Sequence, residues 1–240
     1  MFIFFMTLLG VSLGSFFYVI AYRLSRNESW VSGRSRCDNC NHKLSWYDLI
    51  PLLSFVLLRG RCRYCKEKID GNHMAMELLM GVGFLVIAAA PLPLFEKIIA
   101  FAVCMVLGFN SASDMAEHMT HTVVIYGGML IVIVLRLFSI TGFTWQGAGL
   151  EILLNVMFAV MCILLCIIAS RYIGAGDLNI MMLLFLCCKS YALLLFSGTL
   201  ISSLHLMLVD RKPQDGEMVA FVPYIFIGYL ISIFVGGFIV

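Results

Sequence analysis

Charged residues are scarce in this sequence. Asp, Glu, Lys and Arg make up 12% of its 240 residues, whereas hydrophobic residues make up 62%. Ordinary soluble domains carry about 25% charged residues, so the composition excludes that class and indicates a polytopic membrane protein. The net charge of +2 gives no indication of a nucleic-acid partner.

Two sequence patterns are also absent. No glycine-rich nucleotide fingerprint lies between a strand and a helix, and the "GVG" at 81–83 lies within an apolar run, where glycines allow close helix packing. The chain also lacks the internal self-similarity expected of a transporter built from repeats with broken helices. A non-enzymatic transporter with a zinc domain is therefore an alternative without that support.

Long apolar runs dominate the chain. A bilayer requires about 20 apolar residues per helix, and we count eight runs, near residues 1–22, 74–91, 95–113, 122–141, 149–170, 178–188, 190–209 and 219–240. The run 178–188 is too short by itself, so either it extends back through "IGAGD" or the segment to 209 is re-entrant. The predicted fold class is an all-α polytopic membrane protein of about eight transmembrane helices.

Basic residues are concentrated in one loop. Residues 23–73 hold ten of the sixteen Lys and Arg, and the positive-inside rule places this loop in the cytoplasm. Arg23 and Arg26 directly follow an uncharged start, which favours a retained first helix with its N-terminus outside. We predict a first transmembrane helix (1–22), a cytoplasmic insertion (23–73) and a transmembrane core (74–240).

Four cysteines form the most specific pattern of this insertion. They read C-x2-C-x21-C-x2-C, at Cys37, Cys40, Cys62 and Cys65, and two such pairs supply the corners of a tetrahedral zinc site. Two disulfides are a weaker alternative because a cytoplasmic loop keeps its thiols reduced. We predict a structural, zinc-ribbon-like unit, in which Zn²⁺ compensates for a core that about 50 residues make too small.

Other candidate ligands are less specific. His42 and His73 are spare ligands that four cysteines make unnecessary, and His118 and His121 are interpreted as solvated loop residues. The remaining five cysteines lie in apolar runs and are interpreted as buried small hydrophobic residues. They are Cys104, Cys162, Cys166, Cys187 and Cys188.

Two carboxylates stand at the ends of apolar runs. Asp114 follows the third run and Asp177 lies in "GAGD", and the topology derived from Lys and Arg places both at the cytoplasmic face. A charge within the hydrocarbon is costly and by default functional. Two carboxylates can work together, because the ionised one takes a proton from water while the protonated one polarises a carbonyl. Gly174 and Gly176 would let a substrate backbone approach Asp177.

Each aspartate also has a structural alternative. Asp177 precedes "LNIMMLLFL" and would cap a helix there, while Asp114 would be a solvated loop residue. The occurrence of both at one face, with one of them in a G-x-G-D sequence, favours the catalytic interpretation.

Several motifs together resemble a known family. They are "GSFFYVIAYRL" at 14–24, "LSWYDLIPLLSFVLLRGRCRYCKEKI" at 44–69, "MELLMG" at 76–81, "GAGD" at 174–177 and "VAFVPYIFIG" at 219–228. These stretches are similar to the bacterial type IV prepilin peptidases, bifunctional leader peptidases and N-methyltransferases of the GxGD class of membrane aspartic proteases.

The resemblance implies a specific activity. Such an enzyme removes the basic leader of a type IV prepilin or pseudopilin after a Gly, at the cytoplasmic face of the bacterial inner membrane. It then methylates the new N-terminal residue with S-adenosylmethionine. Asp114 and Asp177 match the catalytic aspartates, which activate water without a covalent enzyme intermediate. Glu77 matches a family glutamate that either faces the substrate amine or anchors its helix.

The chain departs from the family at three places. Ser113 stands where Ile is usual, "MTH" at 119–121 replaces Leu-Pro-Asp, and Val222 stands where Gly is common. No carboxylate changes, so proteolysis is still expected, with a differently shaped loop after Asp114. A peptidase-only relative is an alternative, but the archaeal preflagellin peptidases lack the four-cysteine insertion. Membrane lipid is the other expected partner.

Overall fold

The computed structural model describes residues 1–29, 33–139, 176, 179, 180, 183, 184 and 220–239. Six α-helices are defined in this part of the chain: α1 (Phe2–Ser25), α2 (Leu53–Leu57), α3 (Gly71–Ala89), α4 (Leu94–Glu117), α5 (Thr122–Ser139) and α6 (Val222–Ile239). A 3₁₀ helix spans Trp46–Leu49. Two isolated antiparallel bridges join Arg36 to Lys43 and Arg61 to Lys68. The described part is therefore mostly helical, as predicted.

Three of these helices are long and apolar enough to cross a bilayer. They are α1, α3 and α4, with 24, 19 and 24 residues. At a rise of 1.5 Å per residue they measure about 36, 28 and 36 Å, against a hydrocarbon thickness of about 30 Å. Shorter apolar stretches lie in α5 and α6. The chain is thus a membrane protein.

The number of spans stays a prediction. Five of the eight apolar runs coincide with α1, α3, α4, α5 and α6, with ends shifted by up to four residues. The runs at 149–170 and 190–209 lie outside the described residues, as does most of 178–188.

Helix α1 packs directly along α3 through two small residues. A Cβ at Gly10 would lie 2.6 Å from the carbonyl oxygen of Met80, and one at Gly14 would lie 2.7 Å from that of Met76. Such distances leave no room for a side chain. Small residues four positions apart allow two helix backbones to approach closely in a membrane, and this pair explains why α1 lies against α3.

Helix α4 is the centre of the described bundle and packs against α1, α3, α5 and α6. Its first two-thirds bury apolar side chains such as Val103 and Leu107, which meet Met80 of α3 and Phe226 of α6 in one core cluster. Its last turns bury polar residues instead: Asn110, Ser111, Ser113 and Asp114. The polar end of a mostly apolar helix positions the candidate site.

Asp70 fixes the return of the insertion into the bundle. Its Oδ1 accepts a hydrogen bond from the backbone N–H of Asn72 at 3.1 Å and caps the start of α3. Its Oδ2 accepts a hydrogen bond from the hydroxyl of Tyr18 in α1 at 2.7 Å. One carboxylate therefore holds the start of α3 against α1.

Candidate active site and metal centre

Four cysteine side chains converge in the insertion. The Sγ atoms of Cys37, Cys40, Cys62 and Cys65 all lie within 4.8 Å of one another, and those of Cys37 and Cys65 are 3.8 Å apart. Tetrahedral zinc with Zn–S bonds of about 2.3 Å separates its sulfur ligands by about 3.8 Å. All four are free thiols, and their arrangement fits a zinc ion.

The two cysteine pairs are folded by the same local hydrogen bonds. The backbone N–H of Cys37 donates to the carbonyl of His42 at 3.0 Å, and that of Cys62 donates to the carbonyl of Glu67 at 2.8 Å. Each bond closes a tight loop around one pair. The metal-binding geometry is therefore built from two matching turns.

An internal repeat underlies this equivalence, and we missed it in the sequence. Residues 36–43 read "RCDNCNHK" and residues 61–68 read "RCRYCKEK". In each, the residue after the second cysteine is left-handed, with φ of 55° at Asn41 and 63° at Lys66. The shared R-C-x2-C-x2-K pattern was the signal that could have predicted two matching turns.

Their surroundings give the thiols of Cys62 and Cys65 different pKa values. Burial raises the pKa of Cys62, but backbone N–H groups of Cys65 and Tyr64 and the neighbouring thiols outweigh it and lower this pKa to about 7. At Cys65 the backbone N–H of Glu67 favours the thiolate, yet desolvation and the other three thiols raise the pKa to about 12. Cys62 therefore loses its proton more readily than Cys65, and zinc must displace a proton from Cys65.

The spare histidines lie elsewhere. The ring of His42 packs on Tyr64 with centroids 3.7 Å apart, and the ring of His73 packs on Tyr18 with centroids 4.2 Å apart. Among the described residues, the group able to hold a metal consists of the four cysteines alone.

Asp48 is a structural residue that sequence reasoning did not single out. Only 3% of its side chain is exposed, and its Oδ1 accepts a hydrogen bond from Nε of Arg63 at 2.8 Å. It also forms a capping box with Ser45 at the 3₁₀ helix. The "SWYD" sequence carries the S-x-x-D signal of such a box. Asp48 thus ties the segment between the cysteine pairs to the second pair.

Glu77 connects the insertion to α3. It is 7% exposed, and its Oε2 accepts a hydrogen bond from the backbone N–H of Leu52 at 2.7 Å. Leu52 has φ of 59° and ψ of −47°, which a residue with a branched side chain rarely adopts. Because an unpaired buried N–H is costly, this carboxylate stabilises the unusual turn. The contact gives Glu77 an anchoring role toward the insertion.

A cavity of about 800 Å³ lies between α1, the insertion and α3. The carboxylates of Asp38, Asp70 and Glu77 line it, together with His73 and Tyr22. Cavities of about 300–1,000 Å³ are the size that small ligands and cofactors occupy. Basic side chains, among them Arg36 and Lys43, line it as well, so the cavity offers a small ligand both acidic and basic groups.

Asp114 lies in the last turn of α4, buried at 6% exposure. Its Oδ2 accepts a hydrogen bond from the backbone N–H of Val222 at 2.8 Å. Val222 is the first residue of α6, so Asp114 meets a helix N-terminus from 108 positions away in the chain. It is therefore a buried residue in a specific contact, and the alternative of a solvated loop position is excluded.

The loop that follows Asp114 is held by polar contacts. The side chain of Asn110 accepts a hydrogen bond from the backbone N–H of His121 at 2.9 Å. His118 is exposed and ends α4 with φ of 54°. Ser111 Oγ, one turn before Asp114, is buried without a hydrogen-bond partner in the described part of the chain.

Gly176 of the G-x-G-D sequence lies against the same loop. A Cβ at Gly176 would collide with the side chain of Thr120, so this approach requires glycine. Three residues further on, Oδ1 of Asn179 accepts a hydrogen bond from the hydroxyl of Tyr126 in α5 at 3.4 Å. Residues on both sides of position 177 are thereby placed near the end of α4 and the start of α5.

Asp177 and Gly174 lie outside the described residues. Ile180, Leu183 and Leu184, which follow Asp177 in sequence, are buried in the apolar core. The pairing of Asp177 with Asp114 stays a prediction, supported by the neighbours of Asp177 on either side.

Residues 8–90 match the family model "Bacterial Peptidase A24 N-terminal domain". The chain is 45% identical over 80 residues to the "Prepilin leader peptidase/N-methyltransferase" of Myxococcus xanthus, covering 33% of this chain and 24% of that protein. The chain resembles the type IV prepilin peptidases. This confirms the resemblance inferred from the motifs.

Further prepilin peptidases are similar over other lengths. The protein of the same name from Vibrio cholerae is 44% identical over 80 residues, covering 30% of this chain and 32% of that protein. The one from Klebsiella pneumoniae is 33% identical over 112 residues, covering 43% and 49%. The aligned segments thus span about a quarter to a half of these prepilin peptidases. No solved structure matches the chain.

Proposed function

We propose that this protein removes the basic leader of type IV prepilins or pseudopilins after a Gly, at the cytoplasmic face of the bacterial inner membrane. The observation that carries the proposal is Asp114, a buried carboxylate at the end of a membrane-spanning helix, followed by a loop whose Thr120 packs against Gly176 of the G-x-G-D sequence. A buried acid at such a position is functional by default.

Asp114 and Asp177 would share the chemistry. The ionised carboxylate takes a proton from water, and the protonated one donates a hydrogen bond to the scissile carbonyl. The Val222 N–H bond to Asp114 keeps this carboxylate in one orientation. Water is then the nucleophile, and no covalent bond to the enzyme forms. Gly174 would leave space for the substrate backbone beside Asp177. At Gly176 the corresponding space is taken by the side chain of Thr120.

We also propose that the protein methylates the new N-terminal residue with S-adenosylmethionine, and that this donor binds in the cavity between α1, the insertion and α3. The donor supplies an activated methyl group on a positively charged sulfur. The carboxylates of Asp38, Asp70 and Glu77 line the cavity together with basic side chains such as Arg36 and Lys43. These carboxylates would attract that charge. The cavity lies within residues 8–90, the part that matches the family model.

Zinc held by Cys37, Cys40, Cys62 and Cys65 would stabilise the insertion, residues 23–73, and thereby one wall of the cavity. In this proposal residues 1–22 form the first span, and residues 74–240 form the peptidase core. The basic insertion would face the cytoplasm, and its Lys and Arg content supports that orientation.

Leader cleavage by the detergent-purified protein tests the peptidase. We expect Asp114→Asn and Asp177→Asn each to lower the cleavage rate by about 10²–10⁴-fold, since acid–base residues contribute that much. Glu117→Gln is the matched control, because Glu117 is an exposed carboxylate at the end of the same helix as Asp114. Mass spectrometry of the product measures cleavage.

The same spectra distinguish the alternatives. A product that carries one added methyl group supports the bifunctional enzyme, and a cleaved but unmethylated product supports a peptidase-only protein. Wild-type rates in either aspartate variant would refute the dyad. Absence of cleavage by the wild-type protein, with several prepilins, would favour a non-enzymatic membrane protein.

A further inference from the structure

The segment between the two cysteine pairs exposes an unusual number of large apolar side chains. Each cysteine turn is a knuckle, and we name residues 46–57, which lie between the two knuckles, the inter-knuckle segment. Trp46 is 76% exposed, Val56 65% and Leu57 71%. Tyr47, Leu49, Ile50 and Leu53 are exposed as well. A contiguous apolar surface of this kind on a small unit marks a contact with another apolar phase or partner.

The position of this segment along the helices identifies that phase. The backbone N–H of Leu52 donates to Oε2 of Glu77, and Glu77 lies six residues inside α3, about 9 Å from its start at 1.5 Å per residue. Gly14 of α1 lies against the Cα of Glu77, eleven residues or about 16 Å from the end of that helix. Leu52 is therefore at a depth where both helices run through the membrane.

The backbone of the segment is suited to this depth. Non-helical chain is tolerated there only where its polar groups are satisfied within the protein. Residue 51 is proline and has no N–H, and the N–H of Leu52 bonds to Glu77. The N–H groups of Ser54 and Val56 donate to Ile50 and Leu52 carbonyls at 3.0 Å each. The buried Glu77 carboxylate is thereby explained, because it accepts a hydrogen bond from the Leu52 N–H, which lipid would leave unpaired.

The flanking residues match a membrane boundary. Trp46 and Tyr47 begin the segment, and aromatic residues of this type concentrate at the level of lipid headgroups. Arg59 and Arg61 follow it and are exposed, where long basic side chains reach lipid phosphates. Apolar residues in the middle with aromatic and basic residues at the ends are the order expected of a segment that enters and leaves one leaflet.

We propose that the inter-knuckle segment is immersed in the leaflet next to the insertion. Leu53, Val56 and Leu57 contact acyl chains, and Trp46 lies at the headgroups. The segment thereby holds the cysteine cluster and the cavity against the membrane surface. This inference rests on the span assignment of α1 and α3 and holds whether or not the proposed enzymatic activities do.

Tryptophan quenching in lipid nanodiscs tests the proposal on the full chain. A probe variant combines Leu57→Trp with Trp30→Phe, Trp46→Phe and Trp145→Phe. The three native tryptophans are thereby removed, and the new one at position 57 is the only tryptophan probe. The nanodiscs contain phosphatidylcholine and phosphatidylglycerol with brominated acyl chains. Glu67→Trp in the same background is the control, because Glu67 is exposed beside the second cysteine pair.

We expect brominated lipid to quench the probe at position 57, iodide in the buffer to leave it unchanged, and the control to show the opposite pattern. Quenching at position 57 by iodide would place the segment in water and overturn the proposal. Protection from both quenchers would also overturn it, since a protein surface, either another part of this chain or a substrate helix, would then cover the segment. Unchanged zinc content shows that the variant is folded.

Discussion

The cysteine cluster and the surroundings of Asp114 are assembled in opposite ways. Each half of the cysteine cluster is a turn of eight residues, at 36–43 and 61–68, closed by its own hydrogen bonds. Asp114 instead contacts Val222, 108 positions away, and Thr120 in the loop after it meets Gly176. The first site is built from local structure that a metal joins, whereas the second exists only when distant helices pack together.

This difference also appears in the comparisons. The family model matches residues 8–90, which contain the cysteines, Glu77 and the cavity but neither aspartate. Short turns with fixed cysteine spacing leave a strong signal in sequence, because few other residues satisfy the same geometry. A carboxylate positioned by helix packing is recognisable in the sequence only as a single residue, since many different apolar sequences can surround it.

The largest expected effect is the loss of metal on substitution of Cys62, the most buried of the four cysteines. Three remaining ligands cannot complete a closed tetrahedral site, so Cys62→Ser should reduce bound zinc from about one per chain to near zero. If the two sites are independent, methylation should be lost while leader cleavage continues. The zinc content is measured by atomic emission, with Cys104→Ser, a buried thiol outside the cluster, as the control. Equal loss of both activities would show that the peptidase needs the insertion.

A smaller effect is expected from closing the gap between α1 and α3. Gly14→Ala would place a methyl group 2.7 Å from the carbonyl of Met76, and such overpacking costs about 1–3 kcal/mol. Gly127→Ala in α5 is matched, because a Cβ there has no neighbour within 4 Å. Denaturant unfolding in mixed micelles measures both. A Gly14→Ala protein as stable as the control would contradict the close helix contact.

Substitutions of Glu77 should distinguish its structural role, the hydrogen bond to Leu52, from a role in binding the methyl donor. Glu77→Ala leaves the N–H of Leu52 unpaired, which costs about 1–3 kcal/mol, whereas Glu77→Gln keeps an acceptor and should cost less. If anchoring is the only role, methylation should follow stability, with the glutamine variant near the wild type. A glutamine variant that is stable but cannot bind S-adenosylmethionine, by calorimetric titration, would show that the charge itself holds the ligand.

The smallest expected effect is a change in how zinc affinity depends on pH. The pKa of Cys62 lies near 7 and that of Cys65 near 12, so zinc displaces a proton from Cys65 throughout the neutral range and from Cys62 only below about pH 7. The affinity should therefore rise with pH, more steeply below pH 7 than above it. Chelator competition between pH 6 and 8 measures the slope. A slope that is unchanged across pH 7 would show that the Cys62 thiolate is not stabilised.

Sequence reasoning predicted different parts of the molecule to different degrees. The spacing of Cys37, Cys40, Cys62 and Cys65 predicted a cluster that the structure brings together, and apolar runs predicted helices with ends shifted by a few residues. The roles of Asp48 and Leu52 were not predicted. Their partners, Arg63 and Glu77, are 15 and 25 positions away, and no periodicity connects such pairs. Asp177 stays a prediction from sequence alone.

The sequence by itself determined the membrane class, the helical content and the cysteine pairs, because hydrophobicity and short-range spacing act within one segment. Only the tertiary structure decided that Asp114 of α4 contacts the start of α6, that Glu77 accepts a hydrogen bond from Leu52, and that a cavity forms between α1 and the insertion. Those contacts depend on how closely helices approach. That distance is set by small residues such as Gly10 and Gly14 together with the residues they contact on α3. It therefore depends on the surfaces of two helices, and the sequence of either helix alone does not determine it.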